Sequence, residues 1–411
     1  MPPLSRSVLV CVLPARGHVA PAVAVVDELI SAGHAVHVIT GRRYRDQFVA
    51  AGASVTLLEA CADFDDADLD ASFPARRGLR GLRLARHDLI EAFVRPIPSR
   101  WATVQAVLAG FPADTVLVDP FFLAGIPLVL TRRAGGPRVF VLGITPVMLP
   151  PHAPPGRTAG IREPLTAWAM RRALAPVQSL AEQLVLESTG RPLPTWFTHW
   201  VGLTDGILQL TCPGFEYPRP RATTPIHFVG PTATSTARDH PLPPWWDDLE
   251  QEKPVIHVTQ GTIANGDVSA VIEPSLAALA DRECLVVVST GGAPPPANLP
   301  SNARTARYLP YDALLPRCAL MITNGGYGGV NHALRHGVPL VVVGASEDKR
   351  PVAQRVAWSG AGIGIGRAQV SAARIALATR QVLADPSYAA HARRLGAQMG
   401  RCPRILDILC G

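Results

Sequence analysis

The sequence predicts an α/β fold built from two doubly wound, Rossmann-like domains that face each other across a cleft. Short apolar runs alternate with amphipathic helical segments in both halves, a pattern typical of parallel sheets covered by helices. A turn-rich stretch with eight prolines between residues 213 and 244 separates the halves. With 411 residues, 48% apolar and 17% charged, the chain is long enough for two cores of ordinary size.

The first half defines a domain at residues 1–215. Strand-like runs lie at residues 7–13, 35–40, 54–58, 115–118 and 138–142. An amphipathic helix is expected over residues 21–32, begun by Pro21. Residues 146–198 are rich in proline and irregular around helical material at residues 163–186.

The second half repeats the alternation after a linker at residues 216–244. Strand-like runs lie at residues 254–259, 284–289, 303–308, 319–323 and 338–343, and helices are expected at residues 371–384 and 386–399. A second domain is therefore expected at residues 245–395. In such sheets, ligands bind at the carboxyl ends of the strands.

Composition argues against several functional classes. The net charge of +7 comes from scattered residues, almost all of them arginine, so no basic patch suggests a nucleic-acid partner. Seven cysteines at no regular spacing predict neither disulfides nor a metal site. Apolar runs are too short for a signal peptide or a membrane span, and we expect a cytoplasmic protein. No clear oligomerisation signal is present, and a homodimer stays compatible with the sequence.

Two polar residues follow strands of the first domain. His18 is expected in the loop after the first strand, where an imidazole could take a proton from a hydroxyl group. Asp119 follows the strand at residues 115–118 and could hold the ring of His18 in one tautomer. Two alternatives stay open, since His18 could instead cap the helix and Asp119 the turn before Pro120.

The second domain contains a glycine-rich loop between a strand and a helix. Gly325, Gly326, Gly328 and Gly329 follow the apolar run at residues 319–323, so backbone N–H groups and the helix dipole could bind a phosphate. Thr262, beside Gly261, could bind phosphate oxygens or lie in a plain turn. Tyr308 could stack on a nucleobase or pack in the core. The acidic residues at 347 and 348 could bind sugar hydroxyls or begin a helix.

Four motifs in order resemble one family over nearly the whole chain. They are PARGHVAP at residues 14–21, TQGT at 259–262, RYLPYDALLP at 307–316, and TNGGYGGVNHALRHGVPLVVV at 323–343 with EDK after it. The chain resembles the GT-B glycosyltransferases that include the macrolide, natural-product and plant UDP-sugar transferases.

The resemblance implies an inverting, metal-independent transfer without a cofactor. A sugar would pass from a UDP- or dTDP-sugar to a hydroxyl of a hydrophobic natural product, with His18 as general base and Asp119 orienting it. The donor-binding positions it implies are Thr262, Tyr308, Leu309, Asn324, Gly326, Gly328, Gly329, Val330, Asp348 and Lys349. It also implies that residues 396–411 form a helix crossing back to the first domain. Trp168, Trp196 and Trp200 are expected to line an apolar acceptor pocket.

Five positions depart from the family pattern. Asn324 replaces a histidine, Gly329 and Val330 leave no hydroxyl after the glycines, His332 replaces a glutamate, and Lys349 replaces a glutamine. These changes affect the expected donor more than the expected chemistry. Two other functions stay open: a non-catalytic binding partner, and a sugar-nucleotide epimerase on the same fold.

Overall fold

The computed structural model describes residues 6–150, 162–232, 242–250, 252–261, 270–345 and 349–410. The chain divides into two compact units. The first comprises Met1–Gln209, Tyr217–His227 and Arg404–Gly411, and the second comprises Leu210–Glu216 and Phe228–Pro403. Of the predicted linker, residues 233–241 lie outside the described residues.

The first unit is built on a seven-stranded sheet. Its strands are β1 (Ser7–Cys11), β2 (Ala35–Thr40), β3 (Ser54–Leu57), β4 (Thr115–Val118), β5 (Arg138–Gly143), β6 (Gly206–Gln209) and β7 (Ile226–Phe228). The spatial order is β3-β2-β1-β4-β5-β6-β7, and β1 to β6 pair in parallel. The central strands are apolar on both faces because helices cover both sides.

The helices of the first unit begin with α1 (Arg16–Ser31), α2 (Arg45–Ala50), α3 (Leu69–Ser72), α4 (Gly81–Asp88), α5 (Ile97–Gly110), α6 (Gly125–Thr131) and α7 (Arg162–Thr189). A π-helical turn, Leu89–Val94, precedes α5. Helix α1 begins five residues earlier than predicted, so Pro21 lies inside it. Proline at that position removes one backbone hydrogen bond and does not prevent the preceding turn from forming.

The second unit is built on a six-stranded sheet. Its strands are β8 (Val255–Thr259), β9 (Leu285–Ser289), β10 (Ala303–Ala306), β11 (Cys318–Thr323), β12 (Leu340–Ala345) and β13 (Gly362–Gly366). The order is β10-β9-β8-β11-β12-β13, with every pair parallel. Its helices are α8 (Ile272–Leu279), α9 (Tyr311–Leu314), α10 (Tyr327–Arg335), α11 (Arg350–Trp358), α12 (Ala372–Ala384) and α13 (Pro386–Met399).

The last helix, α14 (Ile405–Cys410), belongs to the first unit. Arg138 at the start of β5 donates to the carbonyl oxygen of Leu409, and Arg6 donates to that of Cys410 at 3.4 Å. These bonds attach the end of the chain to the amino-terminal edge of the first sheet. No helix in the described ranges is long and apolar enough to cross a membrane.

Both sheets share one topology, which confirms the predicted pair of doubly wound domains. In each, the chain first adds strands on one side and then returns to the middle to add strands on the other. We call the place where this order reverses the switch point: it lies between β1 and β4 in the first unit and between β8 and β11 in the second. Ligands of doubly wound sheets bind outside the carboxyl ends of the strands at a switch point.

Candidate active site

His18 and Asp119 meet at the switch point of the first unit. His18 lies in the first turn of α1, the helix that follows β1, and Asp119 follows β4. The Asp119 N–H donates to the carbonyl oxygen of Cys11 at 2.9 Å, which ties the two strand ends together. Nδ1 of His18 and Oδ2 of Asp119 are 2.6 Å apart. The side chain of His18 is 18% exposed and that of Asp119 only 1%, so the pair has one open side, at the imidazole.

The carboxylate fixes both the orientation and the protonation of the ring. The other oxygen of Asp119 accepts from the N–H of Phe121 at 2.8 Å, so the carboxylate cannot rotate freely. Burial lowers the pKa of His18, but the charge and hydrogen bond of Asp119, with the charge of Asp66, outweigh burial and raise that pKa above its ordinary value. When Nδ1 donates to Asp119, Nε2 is left as the basic nitrogen.

Residues from distant segments complete the surroundings of His18, and sequence reasoning missed them. Asp66 accepts from the N–H of Arg16 at 2.7 Å and so caps α1 from another loop. The ring of Phe121 lies 6.0 Å from that of His18 in an edge-on arrangement. The centre of the Phe93 ring, from the π-helical turn, lies 5.1 Å from the centre of the Phe121 ring. Only Phe121 had a local signal, its position two residues after Asp119.

An apolar depression lies beside this pair. Its enclosed volume is about 10 Å³, enough for roughly one water molecule, and its apolar lining at the carboxyl ends of β4, β5 and β6 includes Pro120, Val141, Val147, Met148, Val201 and Ile207. Trp200 does not line it as expected: its side chain is fully buried, and its Nε1 donates to the carbonyl oxygen of Pro120 at 2.9 Å. The expectation for Trp200 is wrong because composition alone does not say on which side of the sheet a tryptophan packs.

The switch point of the second unit is held by an amide. Asn324, directly after β11, donates through Nδ2 to the carbonyl oxygen of Gln260 after β8. Its Oδ1 accepts from the N–H of Gly326 at 3.3 Å. The side chain therefore spans the two strand ends. Gly325 has a φ of +89°, and a Cβ there would lie 2.8 Å from Val342, so only glycine fits this turn.

Helix α10 begins at this amide and has no acidic residue in its first turn. Gly326 is the N-cap and makes no side-chain cap bond. The N–H of Val330 donates to the carbonyl oxygen of Gly326 at 3.0 Å, and the Val330 side chain is buried. Gly328 and Gly329 precede that first helical bond, and a Cβ on Gly328 would meet no described atom within 4 Å. Their N–H groups can therefore bind an anion.

The remaining predicted donor-binding residues are dispersed. Tyr308 donates to the carbonyl oxygen of Gly291 at 3.1 Å, and the side chain of Leu309 lies in the core. Lys349 caps α11 beside the glycine loop, since a Cβ built on Gly325 would lie 3.7 Å from its Cβ. Thr262 and Asp348 lie outside the described residues.

A buried ion pair behind α10 was also missed. Arg355 on α11 donates to Glu216 at 3.0 and 2.8 Å, and the hydroxyl of Tyr327 donates to Glu216 at 3.2 Å. Glu216 comes from a segment more than a hundred residues away in sequence, so no local pattern pairs these residues. In the ranges that the structure describes, no group of three or more histidine, cysteine or acidic residues is arranged to hold a metal ion.

Comparison with known proteins identifies the family. The model described as the erythromycin biosynthesis protein CIII-like, C-terminal domain, matches residues 273–409. The 4'-demethylrebeccamycin synthase of Lentzea aerocolonigenes is 35% identical over 98% of this chain and 98% of its own length. UDP-glucosyltransferase B1 of Starmerella bombicola is 31% identical over 98% of this chain and 96% of its own length. The crystal structure of CalG4, the calicheamicin glycosyltransferase, has a TM-score of 0.73 and 24% identity over 96% of this chain and 94% of that one. The chain therefore belongs to the natural-product glycosyltransferases of the GT-B fold and is an enzyme that uses a nucleotide-sugar donor.

Proposed function

We propose that this enzyme transfers a sugar, with inversion at the anomeric carbon, from a UDP- or dTDP-sugar to a hydroxyl group of a hydrophobic natural product. The observation that supports this most is the 2.6 Å approach of His18 to Asp119 at the carboxyl ends of β1 and β4. A histidine held in this way by a buried carboxylate is suited to general base catalysis.

In the proposed reaction, Nε2 of His18 accepts the proton of the acceptor hydroxyl as its oxygen bonds to the anomeric carbon. The bond from that carbon to the diphosphate breaks, and its electron pair leaves with the terminal phosphate oxygen. Asp119 stabilises the imidazolium that forms. One displacement from the opposite face inverts the configuration. The proton, the sugar and the leaving diphosphate are all accounted for. As the family resemblance implies, the proposed reaction uses no metal ion or other cofactor.

The second unit supplies the groups that bind the donor. The N–H groups of Gly328 and Gly329, with the dipole of α10, are suited to the charge that grows on the diphosphate. Asn324 acts mainly by holding Gly326 at the helix start, because both ends of its amide are engaged. Tyr308 and Leu309 contribute near the nucleobase, Thr262 near the phosphates, and Lys349 and Asp348 near the sugar, as the family resemblance implies.

The first unit supplies the acceptor site. The ring of Phe121, edge-on to His18, and the ring of Phe93 against Phe121 give an apolar surface next to His18. Such a surface favours a hydrophobic acceptor and disfavours a sugar or a peptide. The relatives named for demethylrebeccamycin and calicheamicin are consistent with acceptors of this class.

The test is an assay with UDP-glucose and dTDP-glucose against a panel of hydrophobic alcohols and phenols. We expect a mass gain of one hexose and, by proton coupling at the anomeric carbon, a β-linkage from these α-linked donors. His18→Gln should abolish transfer while calorimetric binding of the nucleotide is kept. His37→Gln is the matched control, because His37 lies in β2 of the same sheet and bonds Thr56. Transfer by His18→Gln, or an α-linked product, would refute the proposal.

A further inference from the structure

Arg100 is a buried cation inside the first unit. It lies on α5 with none of its surface exposed, and its Nε and Nη2 donate to the carbonyl oxygen of Ala62 at 3.2 and 2.7 Å. Its Nη1 is buried too and has no hydrogen-bond partner among the residues that the structure describes. One carbonyl group is a weak counterpart for a full positive charge in the protein interior. Packing alone therefore does not explain an arginine at this position.

The guanidinium lies beside the two segments that hold His18. Its Cζ is 5.6 Å from the centre of the Phe122 ring, and the N–H of Phe122 donates to the carbonyl oxygen of Asp119 at 2.9 Å. On the other side, Ala62 begins the acidic stretch that supplies Asp66 to the start of α1. Arg100 thus contacts both the turn of Asp119 and the loop that caps the helix of His18.

The charges around Arg100 are those of the proposed active site. Burial lowers the pKa of Arg100 to about 10, and three groups act against burial: Asp119, Asp63 and Cys61. Arg100 is therefore still a cation at neutral pH. Asp119 and Asp66 favour the imidazolium form of His18, and the charge of Arg100 interacts with this pair through Asp119. A cation in the same interior opposes that effect.

We propose that Arg100 is a positioning residue of the transfer reaction, whose buried positive charge beside the turn of Asp119 weakens proton binding by the His18–Asp119 pair. The inference rests on the proposed role of His18 as base. Without Arg100, the His18–Asp119 pair would bind its proton more tightly. A larger share of His18 would then be imidazolium at neutral pH and unable to accept a proton from the acceptor.

The test compares Arg100→Met with Arg100→Lys, which keeps the charge. The measurement is kcat/KM for an aliphatic alcohol acceptor at saturating donor, between about pH 5.5 and about pH 9.5. We expect Arg100→Met to move the midpoint of the acidic limb of the kcat/KM against pH profile to higher pH, by on the order of one unit. At the alkaline end, kcat/KM should stay within about threefold of the wild type. Arg100→Lys should keep the limb within about 0.3 pH unit.

A packing control separates charge from structure. Val104 is buried one turn further along α5, so Val104→Ala damages the same helix without removing a charge, and it should leave the limb in place. Should Arg100→Met give no folded protein, Arg100→Gln keeps an amide that can donate to Ala62 and is expected to show the same shift. An NMR titration of the His18 ring, assigned by its loss in His18→Gln, should show its midpoint moving upward in parallel.

The outcomes separate this inference from the proposed function. If His18→Gln is inactive but the limb of folded Arg100→Met stays in place, the role of Arg100 is refuted and the base is not. The role of Arg100 is also refuted if Arg100→Met lowers kcat/KM equally at every pH, or if Arg100→Lys shifts the acidic limb as far as Arg100→Met does. If His18→Gln keeps transfer, the proposed function itself fails.

Discussion

The two switch points have the same strand order but opposite chemistry. In the first unit, β1 and β4 end in a titratable pair, His18 and Asp119. In the second, β8 and β11 end in a neutral amide bridge from Asn324 to Gln260, followed by glycines. A base needs a group that changes charge, whereas an anion site needs backbone N–H groups that side chains leave accessible. The shared topology provides two equivalent places for ligands, and the residue types at each decide its function.

The largest effect that tests this comparison is expected from Asp119→Asn. The amide still bonds the ring but can stabilise the wrong tautomer and carries no charge, so we expect kcat to fall about 10³-fold or more. The residual acidic limb should move downward in pH, opposite to Arg100→Met, because burial then dominates the pKa of His18. Asp114→Asn is the control, since Asp114 bonds the N–H of Ser7 at the other end of β4. Equal losses in both variants would mean that the carboxylate is structural.

The second effect concerns the amide bridge. Asn324→Ala removes the hydrogen bonds of Asn324 to the Gln260 carbonyl and from the Gly326 N–H, and we expect a loss of about 1–3 kcal/mol of stability together with weaker nucleotide binding. Asn302→Ala is matched to it: Asn302 donates to three backbone carbonyl oxygens elsewhere in the same unit. It should destabilise the protein comparably and leave the nucleotide Kd unchanged. A comparable rise in Kd for both would remove the assigned link between the bridge and donor binding.

The third effect contrasts two glycines of one loop. Gly328→Ala adds a methyl group in open space and replaces glycine within a helix, so stability should stay equal or rise by up to about 1 kcal/mol. A diphosphate bound at this helix start would collide with that methyl group, and we expect the donor KM to rise about tenfold. Gly325→Ala should instead fail through folding, given its positive φ and the contact with Val342. An unchanged donor KM in Gly328→Ala would place the diphosphate elsewhere.

The sequence was sufficient for the features that depend on local order. Alternating apolar runs predicted the two sheets. Asp119 and Asn324, directly after strands, and His18, in the segment that follows β1, were found because parallel strands bring their ends to one edge. The strands β6, β7 and β13 were not predicted. β6 and β13 contain glycine, which is depleted in strands, and β7 is only three residues long.

What could not be predicted depends on contacts between distant segments. Asp66, Arg100 and Phe93 reach the surroundings of His18 from three separate elements, and Glu216 reaches Arg355 across 139 positions. Nothing in the local sequence of Arg100 distinguishes it from an exposed helical arginine. Only the packing of α5 against the turn of Asp119 does so, and that packing is a property of the whole unit.

The smallest expected effect is on the pH dependence of stability, and it compares one histidine in each unit. The folded protein raises the pKa of His18, so its contribution to stability is fully present below the unfolded value near 6.5 and is lost as pH rises through the folded pKa. Burial lowers the pKa of His257, in β8, to about 4. Its neutral form donates to the Val287 carbonyl at 2.9 Å, and the stability it provides is lost as pH falls from about 6.5 towards 4.

Opposite pH slopes are therefore expected from the two units. The stability lost in His18→Gln should be greatest at acidic pH and shrink towards alkaline pH, whereas His257→Gln should remove an acid sensitivity that the wild type has. Because the two units need not unfold together, the measurement is hydrogen exchange followed separately in peptides of β1 and β4 and of β8 and β9. Slopes of the same sign would show that Asp119 does not stabilise the charged form of His18, and the contrast between the two switch points would then rest on the glycine loop alone.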